Sequence, residues 1–163
     1  ALAARPAAAP QTDANLADRI AFLEDRAALK LLVDTFSNLA DTKEIDTQVL
    51  LFTEDATVES WTDGQQGTSY TGRAELAEAF GGFLTQFSTV YHINGQQTVQ
   101  FDGDQATGTA YCLVVLIREE DGKTIRRTSG VRYDDRYTRQ NGKWLIAGRT
   151  SHVEWTDTTE TPA

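Results

Sequence analysis

Residues 132–152 read RYDDRYTRQNGKWLIAGRTSH, two strand-like runs hinged on Gln140-Asn141-Gly142. An Asn-Gly pair accepts the positive φ angles of a tight hairpin turn, and the flanking runs alternate ring or apolar side chains with polar ones. The pattern repeats upstream. Residues 90–101, 105–118, 124–139 and 143–155 all read as strands, parted by Asp102-Gly103-Asp104, Glu120-Asp121-Gly122 and the Asn-Gly turn. Long runs joined by such short breaks make antiparallel neighbours, not the parallel strands of alternating βαβ units. The expected fold class is α+β: a curved antiparallel sheet packed by helices.

Before residue 90 the period changes. Leu16, Ile20, Leu23, Ala27, Leu31 and Phe36 recur at helical spacing. They predict a helix over 15–40 with Asp13 as cap, Asp18 in the early turns, and the apolar stripe covering the sheet. Residues 46–52 read as a short second helix and 56–61 as a strand ending at Thr62-Asp63-Gly64. A third helix is expected over 73–84, packing through Leu76, Ala79, Phe80 and Phe83, with Gly81-Gly82 loosening or ending it. Helices laid on one side of a curved sheet leave its widest end as a cavity for one small ligand. One domain is expected over 15–156, between a flexible Ala/Pro-rich arm at 1–14 and a tail at 157–163.

The composition narrows the function. Hydrophobic residues make up 40% and charged residues 24% of the 163, a globular balance. A formal charge of −9 argues against a nucleic-acid partner, because phosphate binding needs concentrated Lys and Arg. Arg126, Arg127, Arg132, Arg136 and Arg139 do not reverse this, since Asp134 and Asp135 interrupt them. The single cysteine, Cys112, excludes an internal disulfide and a cysteine-held metal cluster. No run approaches the roughly 20 apolar residues of a membrane span, so no membrane partner is expected. The opening ALAARPAAAP reads as a simple arm or as the remnant of an export segment, and the compartment stays open, cytoplasmic favoured over periplasmic.

Two histidines carry the candidate chemistry. His92 opens a strand in Thr89-Val90-Tyr91-His92, and His152 lies near the chain end. A histidine exchanges protons near neutral pH, and either can equally be a structural or surface residue. Asp41, at the end of the first helix, is poorly placed for the helix dipole, which favours cations there. It is either solvated and capping, or it points inward, accepts a ring proton from His92, and frees the opposite nitrogen as a general base. Arg149, on the last strand, is placed to enter the same pocket and stabilise an anion. Asp134 and Asp135 alternate, so one faces inward, and Asp135 pairs with Arg149 or lines the cavity. Tyr91, Tyr111, Tyr133 and Tyr137 are possible phenolic donors or simply aromatic wall, with the first three, together with Asp135, taken as substrate-binding candidates. Trp144 reads as sheet packing and Cys112 as a small buried group. The histidines and acids form no compact ligand motif and no G-x-G-x-x-G is present, so neither metal nor cofactor is expected.

The order of DRAALKLLVDTFSNLADTKEID, FTEDATVESW, YTGRAELAEAF, VYHINGQ and RYDDRYTRQNGKWLIAGRTSH resembles the SnoaL-like branch of the nuclear transport factor 2-like superfamily, over about residues 16–155. The resemblance implies a cone-shaped, cystatin-like α+β barrel enclosing a pocket, and a homo-dimer or homo-trimer. Within the branch the chain is most similar to scytalone dehydratase and hexachlorocyclohexane dehydrochlorinase-like members. Their paired aspartate and histidine fall by motif order on Asp41 and His92, and the pocket arginine of the dehydrochlorinase on Arg149. A second pocket histidine of scytalone dehydratase has no counterpart, its strand reading Tyr111-Cys112-Leu113-Val114 here.

These readings favour a cofactor-independent lyase eliminating water or halide from a small apolar or amphipathic organic substrate. Two alternatives stand beside it. One is a ketosteroid-isomerase-like isomerase, the other a non-catalytic small-molecule-binding or assembly module built on the same cup.

Overall fold

A computed structural model describes residues 15–162; the expected arm and its Asp13 cap lie outside the described residues. Helix α1 spans Leu16–Thr42. It starts on Asn15, whose side chain accepts the Asp18 amide proton at 2.8 Å, satisfying a donor that no earlier carbonyl reaches. It ends at Lys43, left-handed at φ 59°, where the amides of Lys43 and Glu44 turn back to the carbonyls of Ala40 and Leu39. Helix α2 (Ile45–Gln48) and a single 3-10 turn at Val49–Leu51 fill the expected short helix, and Phe52 already belongs to the next strand.

Strands β1 (Phe52–Thr62) and β2 (Gln65–Thr71) form a hairpin, followed by α3 (Arg73–Leu84). The chain then runs as β3 (Thr89–Asp102), β4 (Gln105–Glu120), β5 (Lys123–Gln140) and β6 (Lys143–Pro162). Helix α3 occupies its expected residues and passes through Gly81-Gly82 unbroken. It stops at Leu84, where Thr85 Oγ1 donates to the Gly81 carbonyl at 2.7 Å. Strand β2 answers no expected element, because nearly every residue in it is exposed and no apolar alternation marks it. Strand β6 continues to Pro162, paired with Lys123 of β5, so residues 157–162 extend the sheet where a tail was expected.

The six strands lie in the order β2-β1-β6-β5-β4-β3. Strands β3 to β6 pair antiparallel, as their short turns require, but β1 lies parallel to β6. The sheet is therefore mixed, which corrects the expectation of an antiparallel one. The cause is the crossover. After β2 the chain passes through α3 and enters the sheet at its far edge, and three hairpins later β6 returns beside β1 running the same way.

The core contact of α1 also differs from expectation. Leu16, Ile20, Leu23 and Leu31 are between 47% and 68% exposed, while Leu29, Leu32, Val33, Phe36 and Ala40 are buried. Only Phe36 of the expected stripe faces the core. A 27-residue helix this rich in Ala and Leu carries two apolar stripes offset by about half a turn, and the second one packs on β3. The buried set meets Phe52, Leu76, Val90, Tyr133, Tyr137 and Ile146 in one continuous core. Among the described residues no helix is long and apolar enough to cross a membrane.

Candidate active site

The last turn of α1 and the first residues of β3 bring Asp41 and His92 together across 51 positions of sequence. His92 Nδ1–H donates to Asp41 Oδ1 at 2.6 Å, and the His92 backbone amide donates to Oδ2 of the same carboxylate at 3.2 Å. Two donors thus replace the helix-end cation that Asp41 lacks. They also fix the ring: with Nδ1 carrying the proton, Nε2 keeps its lone pair. The side chains of His92 and Asp41 are 7% and 23% exposed. Burial pushes the His92 pKa below its ordinary 6.5, outweighing the upward pull of the Asp41 hydrogen bond and charge, and Arg149 lowers it further. The ring is a neutral base at neutral pH.

Arg149 sits beyond this pair on β6, 3% exposed. Its Nε and Nη2 donate to Oδ1 and Oδ2 of Asp135 at 2.7 and 2.8 Å, a bidentate pair between facing residues of β5 and β6. Tyr137 Oη donates to Asp135 Oδ2 at 2.7 Å, so the carboxylate is held from two sides. The guanidinium carbon lies 4.4 Å from the Phe36 ring centre and 4.1 Å from that of Tyr133, in the corner these two edge-to-face rings make. Burial opposes the Arg149 charge, but Asp135 outweighs it and raises the pKa above the ordinary value, so the group stays a cation. Nη1 remains buried without a partner.

His92, Arg149 and Tyr133 line a pocket of about 370 Å³, walled by Phe36, Val58, Tyr70, Phe80, Phe83 and Leu84. The structure thus gathers Asp41, His92, Arg149, Tyr133 and Asp135 at one place, with Asp41 and Asp135 behind the groups that reach the pocket; Asp135, expected as a substrate contact, is instead the partner of Arg149 and absent from this pocket's wall. Burial raises the Tyr133 phenol above its ordinary pKa, so it is a neutral donor or a wall. Tyr91 and Tyr111 are not there. They are 54% and 42% exposed and absent from the pocket wall, which corrects their expected role as substrate contacts. Strand pleating is the reason: His92 points inward, so the adjacent Tyr91 points outward. Cys112 is buried as expected, its thiol pushed up to about 11 chiefly by burial, so it is no thiolate nucleophile.

The other histidine belongs elsewhere. His152 Nε2 lies 3.2 Å from Asp134 Oδ2 on the face opposite Asp135. A second concavity of about 450 Å³ is lined by Thr57, Thr107, Thr109, Asp134 and Arg136, also reaches Asp135 and Arg149, and holds neither histidine. Of the polar pocket residues that sequence reading missed, among them Glu59, Ser60, Thr68 and Ser151, Gln48 is the most deeply buried. It is 1% exposed, and nothing in Asp46-Thr47-Gln48-Val49 distinguishes it from an ordinary helix-surface glutamine. Among the described residues no three His, Cys, Asp or Glu side chains are grouped to hold a metal ion.

The model of the SnoaL-like domain family matches residues 21–150 of the chain. The chain belongs to the SnoaL-like family. No curated protein matches its sequence. Solved structures share the fold. A protein of Novosphingobium aromaticivorans provisionally named a scytalone dehydratase is 21% identical, with 87% of this chain covering 92% of that one at a TM-score of 0.72. Another from the same organism, provisionally named an aromatic ring hydroxylase, is 26% identical, with coverages of 85% and 94% and a TM-score of 0.72. A hexachlorocyclohexane dehydrochlorinase of Novosphingobium barchaimii is 17% identical, with coverages of 86% and 93% and a TM-score of 0.71. The motif resemblance is thereby borne out: this SnoaL-like domain is a structural relative of dehydratase and dehydrochlorinase folds.

Proposed function

We propose that this SnoaL-like domain is a cofactor-independent lyase, eliminating water or halide from a small organic molecule held in the 370 Å³ pocket. The observation that carries the reading is the 2.6 Å contact from His92 Nδ1 to Asp41, in a ring whose other nitrogen is free and which lines the same cavity as Arg149. His92 Nε2 removes a proton from a carbon of the substrate. The C–H electron pair becomes the new carbon–carbon double bond, the bond to the leaving group breaks with its electrons as hydroxide or halide, and the proton taken by His92 then passes to the hydroxide, giving water, or with halide to solvent. Asp41 stabilises the imidazolium that forms, and holds the ring so that Nε2 keeps facing the substrate. Arg149 Nη1, still lacking a partner, donates to the group on which negative charge develops. Where bound substrate displaces water against the aromatic and aliphatic part of the wall, both interactions strengthen.

Tyr133 is a wall and a possible donor to the substrate oxygen. Assembly into a dimer or trimer accompanies this reading, and sedimentation would establish it. The decisive test is a screen of hydroxylated and halogenated small molecules, with products resolved by mass. Elimination releases water or halide and lowers the mass of the organic product, whereas isomerisation leaves its composition unchanged. Binding without any product by the wild-type protein would move the domain to the ligand-carrier class.

A further inference from the structure

Two buried polar atoms in the pocket wall lack partners, one of each kind. Arg149 Nη1 is a donor and Gln48 Oε1 is an acceptor. Which end of the Gln48 amide is unpartnered is settled by its other contact. Its Nε2 donates to the Phe36 carbonyl at 3.1 Å, and a flipped amide would set oxygen against oxygen. The amide is therefore held by α1 with its carbonyl end unpartnered, on a residue that lines the cavity beside Phe36, Phe80 and Leu84 and beside the polar Glu59, Ser60, Thr68 and Ser151. Buried polar atoms of folded proteins are nearly always hydrogen-bonded, so a lone acceptor in a binding cavity marks a place where the ligand supplies the donor. Gln48 lies in α2, away from both strands that carry His92 and Arg149, so the cavity reads its ligand from a third direction.

We propose that Gln48 is a specificity-determining residue, whose Oε1 accepts a hydrogen bond from a hydroxyl or N–H of the ligand while Arg149 Nη1 donates to an oxygen. The ligand class follows. The pocket takes a small oxygenated molecule with both a donor and an acceptor on an apolar body, in preference to a halogenated hydrocarbon that has neither. This deepens the proposed function, which it rests on for the identity of the site, and within that function it favours loss of water over loss of halide. A halocarbon would leave the Gln48 carbonyl as unpaired as it is in the free protein, whereas a ligand donor would satisfy it.

The test is binding, which needs no turnover. 2-Naphthol and 2-methoxynaphthalene share an apolar body and an oxygen acceptor, and only the first can donate. Wild-type protein is expected to bind 2-naphthol about tenfold more tightly by fluorescence titration. Gln48→Met, of similar volume, should bring the two within about twofold. Gln48→Glu keeps an acceptor, its buried carboxyl protonated and donating to the Phe36 carbonyl in place of Nε2, so it should retain the preference. His92→Ala should retain it as well. Equal binding by the wild type, a preference surviving in Gln48→Met, or one lost in Gln48→Glu or His92→Ala would each overturn the assignment. If Gln48→Met shows no cooperative melting, the Gln48→Glu and His92→Ala comparisons decide alone. A Gln48-dependent preference without product from any substrate would sink the elimination reading and leave this one standing. Turnover lost in His92→Ala beside a preference unmoved by Gln48→Met would do the reverse.

Discussion

Two histidine–aspartate pairs flank the SnoaL-like sheet, one on each face, and they are not equivalent. The inner pair, His92–Asp41, is 2.6 Å apart with side chains 7% and 23% exposed. The outer pair, His152–Asp134, is 3.2 Å apart with side chains 28% and 42% exposed. Asp41 receives two hydrogen bonds, both from His92. Asp134 is shared with Thr109 Oγ1 at 2.9 Å and with the Arg132 guanidinium, which itself reaches Glu154. Burial opposes the Asp134 charge, but Arg132 and Thr109 outweigh it and hold the carboxyl below its ordinary pKa. The same two residue types therefore make a directed dyad where one carboxylate serves one ring, and a diffuse surface network where several cations compete for it. Environment assigns the role.

The largest break in the comparison should come from deleting each ring. His92→Ala is expected to lower kcat/KM by about 100- to 10,000-fold, the range lost with a general base. His152→Ala should stay within about twofold of wild type. Both are compared as folded proteins of matched oligomeric state, and equal rates for the two variants would end the case for the inner dyad. Asp41→Asn is a smaller cut. It preserves volume and a hydrogen bond to Nδ1 but removes the charge that stabilises imidazolium, so single-turnover rates should fall by about 100-fold or more. A rate near wild type would mean that Asp41 only caps α1.

Much of this frame was legible in the chain. Three of the four turns that separate the strands are spelled out by Asp-Gly or Asn-Gly, and α3 was bounded correctly by its apolar spacing. Asp41 and His92 could be nominated because an acid at a helix C-terminus needs a reason. The parallel seam of β1 and β6 was not legible, because its partners lie about 90 residues apart and pairing at that range leaves no local mark. The buried stripe of α1 was misread because Leu29, Leu32 and Val33 compete with Leu23, Ala27 and Leu31 at equivalent spacing. Tyr91 was readable and overlooked: it cannot share a face with His92 in a regular strand. Gln48 had no signal at all, since only tertiary burial turns a helix glutamine into a pocket wall.

The pH response sharpens the difference in a graded way. Because burial holds the His92 pKa below 6.5, kcat/KM should rise with pH along a limb that lies below that value and then level off. Asp41 raises the His92 pKa, so its replacement by Asn should move the limb to still lower pH. Stability has the matching sign. Between 6.5 and the folded pKa the unfolded chain binds the proton that folded His92 refuses, so stability falls as pH drops through that window. His92→Ala should flatten that slope in melting curves, and His152→Ala should leave the kcat/KM limb where it is. A limb that shifts with His152 instead would assign the titration to the wrong face.

The smallest effect is expected at the outer network, and its smallness is informative. Asp134→Asn removes the shared acceptor of Thr109, Arg132 and His152, three contacts on paper. The Asp134 side chain is 42% exposed, so water can replace what is lost and salt already screens the charges. Arg132 also keeps Glu154, 2.9 Å away. The loss in stability should therefore be no more than about 1 kcal/mol, and should shrink further when the melt is repeated in high salt. Turnover should be unchanged, because the pleat places Asp134 on the opposite side of the sheet from Asp135, Arg149 and the pocket. An activity loss comparable to that of Asp41→Asn would show that the outer face takes part in the site, and would remove the distinction between the two pairs.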